Sequence, residues 1–355
     1  EPIDPNLIRR PAVFRRISFH GFPDTKEARK AQKALADSDD YWWSMQDAVE
    51  TEDCELQHEW QKHSIPTCNM VMEQDLTQVM VDDDDSHNWP IRYLANGYWR
   101  DVWRVQADAR DLDDYHGRSV LKVMRYEHDY TDRNYDRHRR DALAMERLTK
   151  SEHIMDIYAF CGNSGLFEFA NGGSLYDAIF QYRKDEYDNW STRDRLKYAR
   201  QATLGLVAMH NIDQEGVPSM AHTDITTAQF VWVQQRRIYK LNDFNRARFI
   251  TINRETGKTC PFRIGNNPGR FRAPEEYIEP HKETEKIDVY SLGNVLYCIL
   301  TGLWPFDIEG MSSNDVAKSV SKGGRPKIPE QYTNTTDPFT RILLDAMKMA
   351  WRQDV

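Results

Sequence analysis

Lys122, Asp224 and Asp243 lie far apart in the chain, yet each has local surroundings suited to phosphate chemistry. Lys122 sits in the alternating run Ser119-Val120-Leu121-Lys122-Val123. A strand there puts it on the face opposite Leu121 and Val123, from which an ammonium can meet a phosphate as a point charge. Glu146, on the following helical stretch, is its natural counter-charge. Asp243 ends the short strand Tyr239-Lys240-Leu241-Asn242-Asp243, a setting for holding Mg²⁺ through oxygen ligands. Asp224 lies in His222-Thr223-Asp224-Ile225-Thr226-Thr227-Ala228-Gln229, a polar loop between a helix end and an apolar strand. Upstream, Leu94-Ala95-Asn96-Gly97-Tyr98-Trp99-Arg100-Asp101-Val102 reads as a hairpin whose backbone N–H groups could lie over a phosphate. Downstream, Arg272-Ala273-Pro274-Glu275-Glu276 precedes Ile287-Asp288-Val289-Tyr290-Ser291-Leu292-Gly293, the opening of an apolar helix. Each motif taken singly is equally consistent with a structural loop.

A second constellation, Cys54, His58, His63 and Cys68, has the ligand types for tetrahedral zinc, although its spacing is not the familiar paired form. A Cys54–Cys68 disulfide is the preferred reading over zinc. It would close a short loop and imply an oxidising compartment. Unpaired thiols are the remaining alternative.

The elements that must position these groups fall into three stretches. Residues 1–88 form an extension with an early run of prolines, a charged helical stretch at 26–49 and the aspartates 82–85, read as a solvated linker. Short strands follow at 91–94, 101–107, 119–125, 155–160 and 165–169, with a helix at 133–149 that sets Ala142, Leu143, Met145 and Leu148 at helical spacing. From 175 the pattern is mainly helical: 175–182, 192–210, 287–303, 314–321 and 338–351. The fold class is therefore α+β.

Composition excludes several functions. With 355 residues, 40% apolar and 29% charged, the chain suits a soluble globular protein of two or three domain-sized units. Its longest apolar run, six residues from Val295, is far short of the ~20 of a membrane helix. A net charge of −9 opposes general attraction to nucleic acid. The chain starts at Glu1 rather than Met and ends at Val355 after an unfinished helix, so it reads as cut from something longer. The expectation is a secretory-pathway or extracellular domain whose membrane anchor lies outside this chain.

Taken together, the five motifs resemble the eukaryotic protein kinase superfamily over about three quarters of the chain. The separations fit as well: 19 residues from Asp224 to Asp243, 32 from Asp243 to Glu275 and 13 from Glu275 to Asp288. The resemblance implies a bilobal fold, with an antiparallel-sheet N-lobe plus one helix at 89–170 and a mainly helical C-lobe at 171–355. It implies ATP with Mg²⁺ or Mn²⁺ and a protein substrate. Lys122 would pair with the α- and β-phosphates and Glu146 with Lys122, while Asp224 would accept the proton of the substrate hydroxyl. Asp243 and Gln229 would ligate metal. Ala95, Asn96, Gly97, Arg100 and Val102 would line the nucleotide, and Phe167, Glu168 and Ala170 would form the gatekeeper and hinge. Glu275 and Asp288 look structural, with the arginine partner of Glu275 expected beyond Val355.

The departures define an atypical member. Ala95 and Arg100 replace two of the three loop glycines, and Arg100 is expected to offer charge to phosphates instead. Thr223 replaces the catalytic-loop arginine, and Thr226 stands where serine/threonine kinases place a lysine that steadies the γ-phosphate. Gln229 replaces a metal-binding asparagine, its amide displaced by ~1.5 Å, and Asn245 replaces a glycine. Losses of this size could cost a factor of ~10³ in rate without abolishing activity. An active kinase acting on protein serine or threonine is therefore favoured over a pseudokinase that binds nucleotide or scaffolds. A glycan hydroxyl is the alternative acceptor.

Overall fold

The computed structural model of the chain describes residues 54–61, 68, 71, 79–80, 91–106, 118–265, 269–278 and 282–352. The helical stretch at 26–49, His63 and the aspartates 82–85 lie outside these residues. Contacts divide the chain into two units. The first holds the described residues of 65–142 and 157–169, the second those of 47–64, 143–156 and 170–355.

Strand β1 (Cys54–Leu56) belongs to the second unit. The first unit is built on a sheet of β2 (Val79–Met80), β3 (Ile91–Asn96), β4 (Arg100–Gln106), β5 (Arg118–Met124), β6 (Ile157–Cys161) and β7 (Ser164–Glu168). The spatial order is β2-β3-β4-β5-β7-β6. All neighbours are antiparallel except the two-residue β2, which lies parallel to β3. Period-two alternation gives the sheet an apolar face, where Ile91, Val105, Leu121, Ala159 and Leu166 pack with Val71, Trp103 and Val123.

Helix α1 (Asp132–Leu148) carries Ala142, Leu143, Met145 and Leu148, all fully buried as their spacing predicts. The division between the units falls within this helix, after Ala142. Asn134, Asp136, Arg137, His138, Arg140 and Asp141 are buried as well, although their side chains are polar or charged. The charges are matched locally. Asp136 pairs with Arg139 at 2.7 Å and Arg140 at 3.1 Å, and the Arg137 guanidinium lies 3.6 Å from the centre of the Trp99 ring.

The second unit is mainly helical: α2 (Leu175–Phe180), α3 (Lys184–Asp188), α4 (Thr192–His210), α5 (Lys286–Thr301), α6 (Ser313–Val320), α7 (Glu330–Thr333) and α8 (Pro338–Ala350). Helices α2 and α4 start with reciprocal capping boxes, Ser174 with Asp177 and Ser191 with Asp194. Helix α5 is buried on nearly all sides, packs against α4 and α8, and stops at Gly302 in the left-handed region. Short strands β8 (Met220–Ala221), β9 (Phe230–Val233), β10 (Ile238–Leu241), β11 (Arg248–Phe249) and β12 (Thr251–Asn253) frame the loops that carry the chemistry.

The described parts of the N-terminal extension are absorbed into both units, and this corrects the expected cysteine pairing. Cys54 and Cys68 are not joined to each other: Cys54 bonds to Cys260, and Cys68 to Cys161. Pairing of β1 with β12 places Cys54 opposite Asn253, and the Cys260 amide is itself bonded to the Thr251 carbonyl. Cys68 belongs to the first unit, beside the end of β6, with Val71 in that core. The zinc reading fails with the pairing, because both sulfurs are committed to bridges. Among the described residues no three His, Cys, Asp or Glu side chains are grouped to hold a metal. The fifth cysteine, Cys298, is a buried thiol.

The 54–61 segment also binds through side chains. Gln57 donates to the Ile250 carbonyl at 2.9 Å and Gln61 to the Ser219 carbonyl at 2.9 Å. Trp60 donates to Asp213 at 3.2 Å and meets Phe249 edge-on. The backbone of β11 and β12 is thus held from outside by a segment some 200 residues earlier.

Candidate active site

In the second unit, β8 delivers the chain into His222-Thr223-Asp224. Asp288, almost fully buried in the first turn of α5, accepts the N–H of His222 at 2.7 Å and of Thr223 at 2.8 Å, and faces His210 Nε2 at 3.2 Å. Two charge-assisted bonds to successive amides fix the loop where it turns. Thr223 has φ 61°, a left-handed conformation costing about 1 kcal/mol in a non-glycine residue. It is held there by Asp288 and by its own hydroxyl, which donates to the Arg246 carbonyl at 2.8 Å.

Asp224 Oδ1 accepts from Arg272 Nη2 at 2.6 Å, with Arg246 Nη1 3.7 Å away. Its Oδ2 lies 3.4 Å from Gln229 Nε2. Burial pushes the Asp224 carboxyl up, but the guanidinium groups of Arg272 and Arg246 prevail and hold it below the ordinary carboxylate value. It is therefore an anion at neutral pH.

Asp243 follows β10, also at positive φ (64°), and its Oδ1 accepts from Asn245 Nδ2 at 2.6 Å. The two loops are laced together: the Asn242 amide donates to the Gln229 carbonyl at 2.9 Å, and His222 Nε2 donates to the Asn242 carbonyl at 3.1 Å. Asp224, Gln229 and Asp243 thus sit on one cross-linked pair of loops. A carboxylate and an amide oxygen are the hard donors that Mg²⁺ or Mn²⁺ takes, with phosphate oxygens and water completing the shell.

In the first unit, register aligns Ala95 with Val102, Val102 with Lys122, and Lys122 with Gly165, a row across four strands. Side chains in such a row share a face. Phe167, two residues from Gly165, is buried on that face, and the Lys122 ammonium lies 4.5 Å from its ring centre. A Cβ on Gly165 would sit 2.6 Å from Cε2 of Phe167, so the glycine makes room for the ring beneath the lysine. Glu168 ends β7 opposite Ser119, and Ala170 begins the last stretch of the second unit. Glu146 is in the last turn of α1.

The hairpin differs from expectation at Arg100. Rather than offering charge to phosphates, its guanidinium is buried and paired at 2.5 Å with the fully buried Asp141 of α1. The physical reason is Asp141 itself, a carboxylate inside the unit that is stable as an anion only beside a cation. Gly97 is not at positive φ, and the turn is held by bonds and rings. Its amide donates to the Arg100 carbonyl, Arg125 donates to its carbonyl, and Trp99 lies against Arg137 and His128. The Asn96 side chain accepts from the Tyr93 hydroxyl at 2.8 Å.

Sequence reasoning overlooked Arg246 and Arg272. Arg272 stands inside a quoted motif, but its partner Asp224 is 48 residues away and nothing local signals the pairing. It overlooked Glu276 too. That residue is buried, accepts the Ala273 amide at 2.8 Å, lies 4.0 Å from Arg272, and is pushed by burial up to about 7.

The family model for protein tyrosine and serine/threonine kinases matches residues 91–354. The chain is 28% identical to the LRR receptor-like serine/threonine-protein kinase GSO2 of Arabidopsis thaliana over 180 residues, covering 48% of this chain and 14% of that one. It is 24% identical to human mitogen-activated protein kinase kinase kinase 7 over 218 residues, 60% of this chain and 32% of the relative. It is 26% identical to the receptor protein kinase WSS1 of rice over 206 residues, 57% and 20% respectively. The chain thus spans at most about a third of the length of these relatives. The α+β architecture, the antiparallel sheet, the motif order and a family match covering nearly three quarters of the chain lead to one conclusion: the chain belongs to the protein tyrosine and serine/threonine kinase family.

Proposed function

We propose that this chain is an ATP-dependent phosphotransferase that moves the γ-phosphate to a hydroxyl, with protein serine or threonine as the acceptor class. The observation that carries the reading is the loop pair of the second unit. It holds an ionised Asp224 beside the Asp243 loop, with the turn locked by Asp288. Asp224 orients the acceptor hydroxyl and takes its proton as the new O–P bond forms and the bond from the γ-phosphorus to the β–γ bridging oxygen breaks, releasing ADP. Asp243 and the Gln229 amide oxygen would hold the divalent cation, which would supply neutralisation of charge on the phosphates. Lys122 binds the α- and β-phosphates with Glu146 as its counter-charge, and the row Ala95, Val102 and Lys122 lies along the nucleotide. Glu168 and Ala170 receive the adenine. The serine/threonine acceptor is supported by the printed name of the Arabidopsis relative.

Transfer of labelled phosphate from ATP with Mg²⁺ or Mn²⁺ to a panel of protein, peptide and glycan acceptors tests this, with Asp224→Ala as the control. Transfer to protein abolished by that change is the expected result. Transfer confined to glycans would replace the acceptor class, and no transfer with any acceptor would refute the enzyme reading.

A second reading, a nucleotide-binding module without turnover, is favoured by the hairpin, where Arg100 turns inward and Trp99 is packed. A thermal shift with ATP and metal in the absence of transfer would select it.

We also infer an oxidising compartment, secretory or extracellular, because two disulfides link the extension to the kinase fold. No helix among the described residues is long and apolar enough to cross a membrane, so a tether would lie elsewhere in a longer chain. Alkylation mapping that found all five cysteines free in protein from its native source would overturn the compartment.

A further inference from the structure

The loop after Asp224 carries no cation: Ile225-Thr226-Thr227-Ala228 is neutral throughout. Phosphoryl transfer, however, depends on fixed charge and exact placement of the nucleophile's partner, since the protein does little covalent chemistry itself. We propose that Arg272, from the segment before α5, is the positioning residue that this loop lacks: it orients the Asp224 carboxylate from outside the loop and keeps positive charge beside it. This rests on the phosphotransferase reading above.

The geometry is that of a clamp. Arg272 Nη2 donates to Asp224 Oδ1 at 2.6 Å, and Nη1 of the same guanidinium donates to the Thr223 carbonyl at 2.8 Å. One rigid planar group therefore grips both the carboxylate and the strained peptide before it, which a lysine could not do with the same directionality. The arginine is itself held. Its side chain is 8% exposed, Glu276 Oε2 lies 4.0 Å from its Nε, and Glu276 is anchored by the Ala273 amide. Arg246 adds a second guanidinium at 3.7 Å from the same oxygen, and its carbonyl holds the Thr223 hydroxyl.

Two guanidinium groups thus face one base carboxylate. Glu276, pushed up to about 7 by burial, is only partly ionised at neutral pH. Glu276 therefore offsets only part of the positive charge that the two guanidinium groups place beside Asp224. The guanidinium groups hold Oδ1, while Oδ2 accepts a longer bond, 3.4 Å, from Gln229 Nε2.

The experiment compares Arg272→Ala, Arg272→Gln and Arg272→Lys in the full disulfide-bonded chain, reading kcat and KM for ATP separately. A residue acting through the base lowers kcat and leaves KM for ATP near its original value. The expected loss in Arg272→Ala is about 10²-fold in kcat, on the scale of removing one preorganised charge. Arg272→Lys should recover part of it and Arg272→Gln less. Ethylguanidinium added to Arg272→Ala should restore kcat, which it would not do for a merely structural role. A loss confined to KM, an equal loss in the Lys and Gln variants, or no rescue by ethylguanidinium would each overturn the proposal. So would a kcat that rises in Arg272→Ala, which would mark the ion pair as a brake. Should the unmodified chain transfer no phosphate, the enzyme reading fails separately. The clamp is then judged by hydrogen exchange of the 222–226 amides, where Arg272→Gln should speed exchange and unchanged protection would overturn it.

Discussion

Changing Cys54→Ser and Cys260→Ser together removes the bridge that ties the 54–61 segment to the stretch between Asp243 and Glu275 without leaving a thiol to mispair. The two residues are 206 apart, but the Cys68–Cys161 bridge shortens the loop. With that second bridge intact, the shortest closed path runs through residues 54–68 and 161–260, about 114 residues, for which chain entropy gives ~5 kcal/mol as a ceiling. Single bridges usually contribute about 2–4 kcal/mol, because the unfolded chain keeps some structure. For a body of this size about 3 kcal/mol corresponds to a fall of roughly 6–12 °C in the unfolding midpoint. The native contacts of β1 with β12 and of Gln57 with Ile250 do not depend on the sulfurs, so the fold should survive at room temperature. Calorimetry gives the midpoint, and hydrogen exchange at residues 250–262 shows whether the loss is centred there. A midpoint lowered by less than about 2 °C would refute the reasoning, as would a large fall with unchanged exchange in that segment.

Three further outcomes follow from particular contacts. Glu283 is fully buried, and burial, helped by the nearby Glu276 carboxyl, pushes it up to about 8. A carboxyl raised above its unfolded value gives stability at low pH that is lost as pH climbs from about 4.5 through 8, so Glu283→Gln should resist urea better than the parent at pH 8.5 and equally at pH 5. Equal denaturation midpoints at both pH values would contradict this. Asp288→Ala leaves the buried amides of His222 and Thr223 without their acceptor; a cost of about 3 kcal/mol or more is expected in chemical denaturation, together with loss of transfer. Gly172→Ala would place a Cβ 2.0 Å from Cδ1 of Trp232, so thermal unfolding should show a destabilisation of at least about 1–3 kcal/mol unless the indole is also reduced in size. Pairing it with Trp232→Leu should restore part of the loss.

Much of the fold was legible because its signals are local. The helical stretch read at 192–210 matches the observed helix to the residue, and the structure shows its start closed by the Ser191–Asp194 capping box. Strand β5 declares its two faces by alternation, and the prediction that Lys122 points away from Leu121 and Val123 agrees with the core those two residues join. Other parts misled. Arg137, His138, Arg140 and Asp141 are buried without any local sign of it, because Arg100, Trp99 and Asn163, which partner three of them, come from other elements. Arg100 itself reads as a loop cation and is a core one.

Family membership, the order of the chemical groups and the α+β pattern follow from the amino-acid sequence by itself, since short motifs and periodicity record what neighbouring residues must do. Only the tertiary structure decided which cysteine meets which, that Arg272 rather than a loop residue grips Asp224, and that a segment before the kinase motifs borders the strand pair after Asp243. Those pairings join groups 48 to 206 residues apart. Their energies come from burial, charge and chain closure, all of which arise only once the backbone has brought distant side chains together.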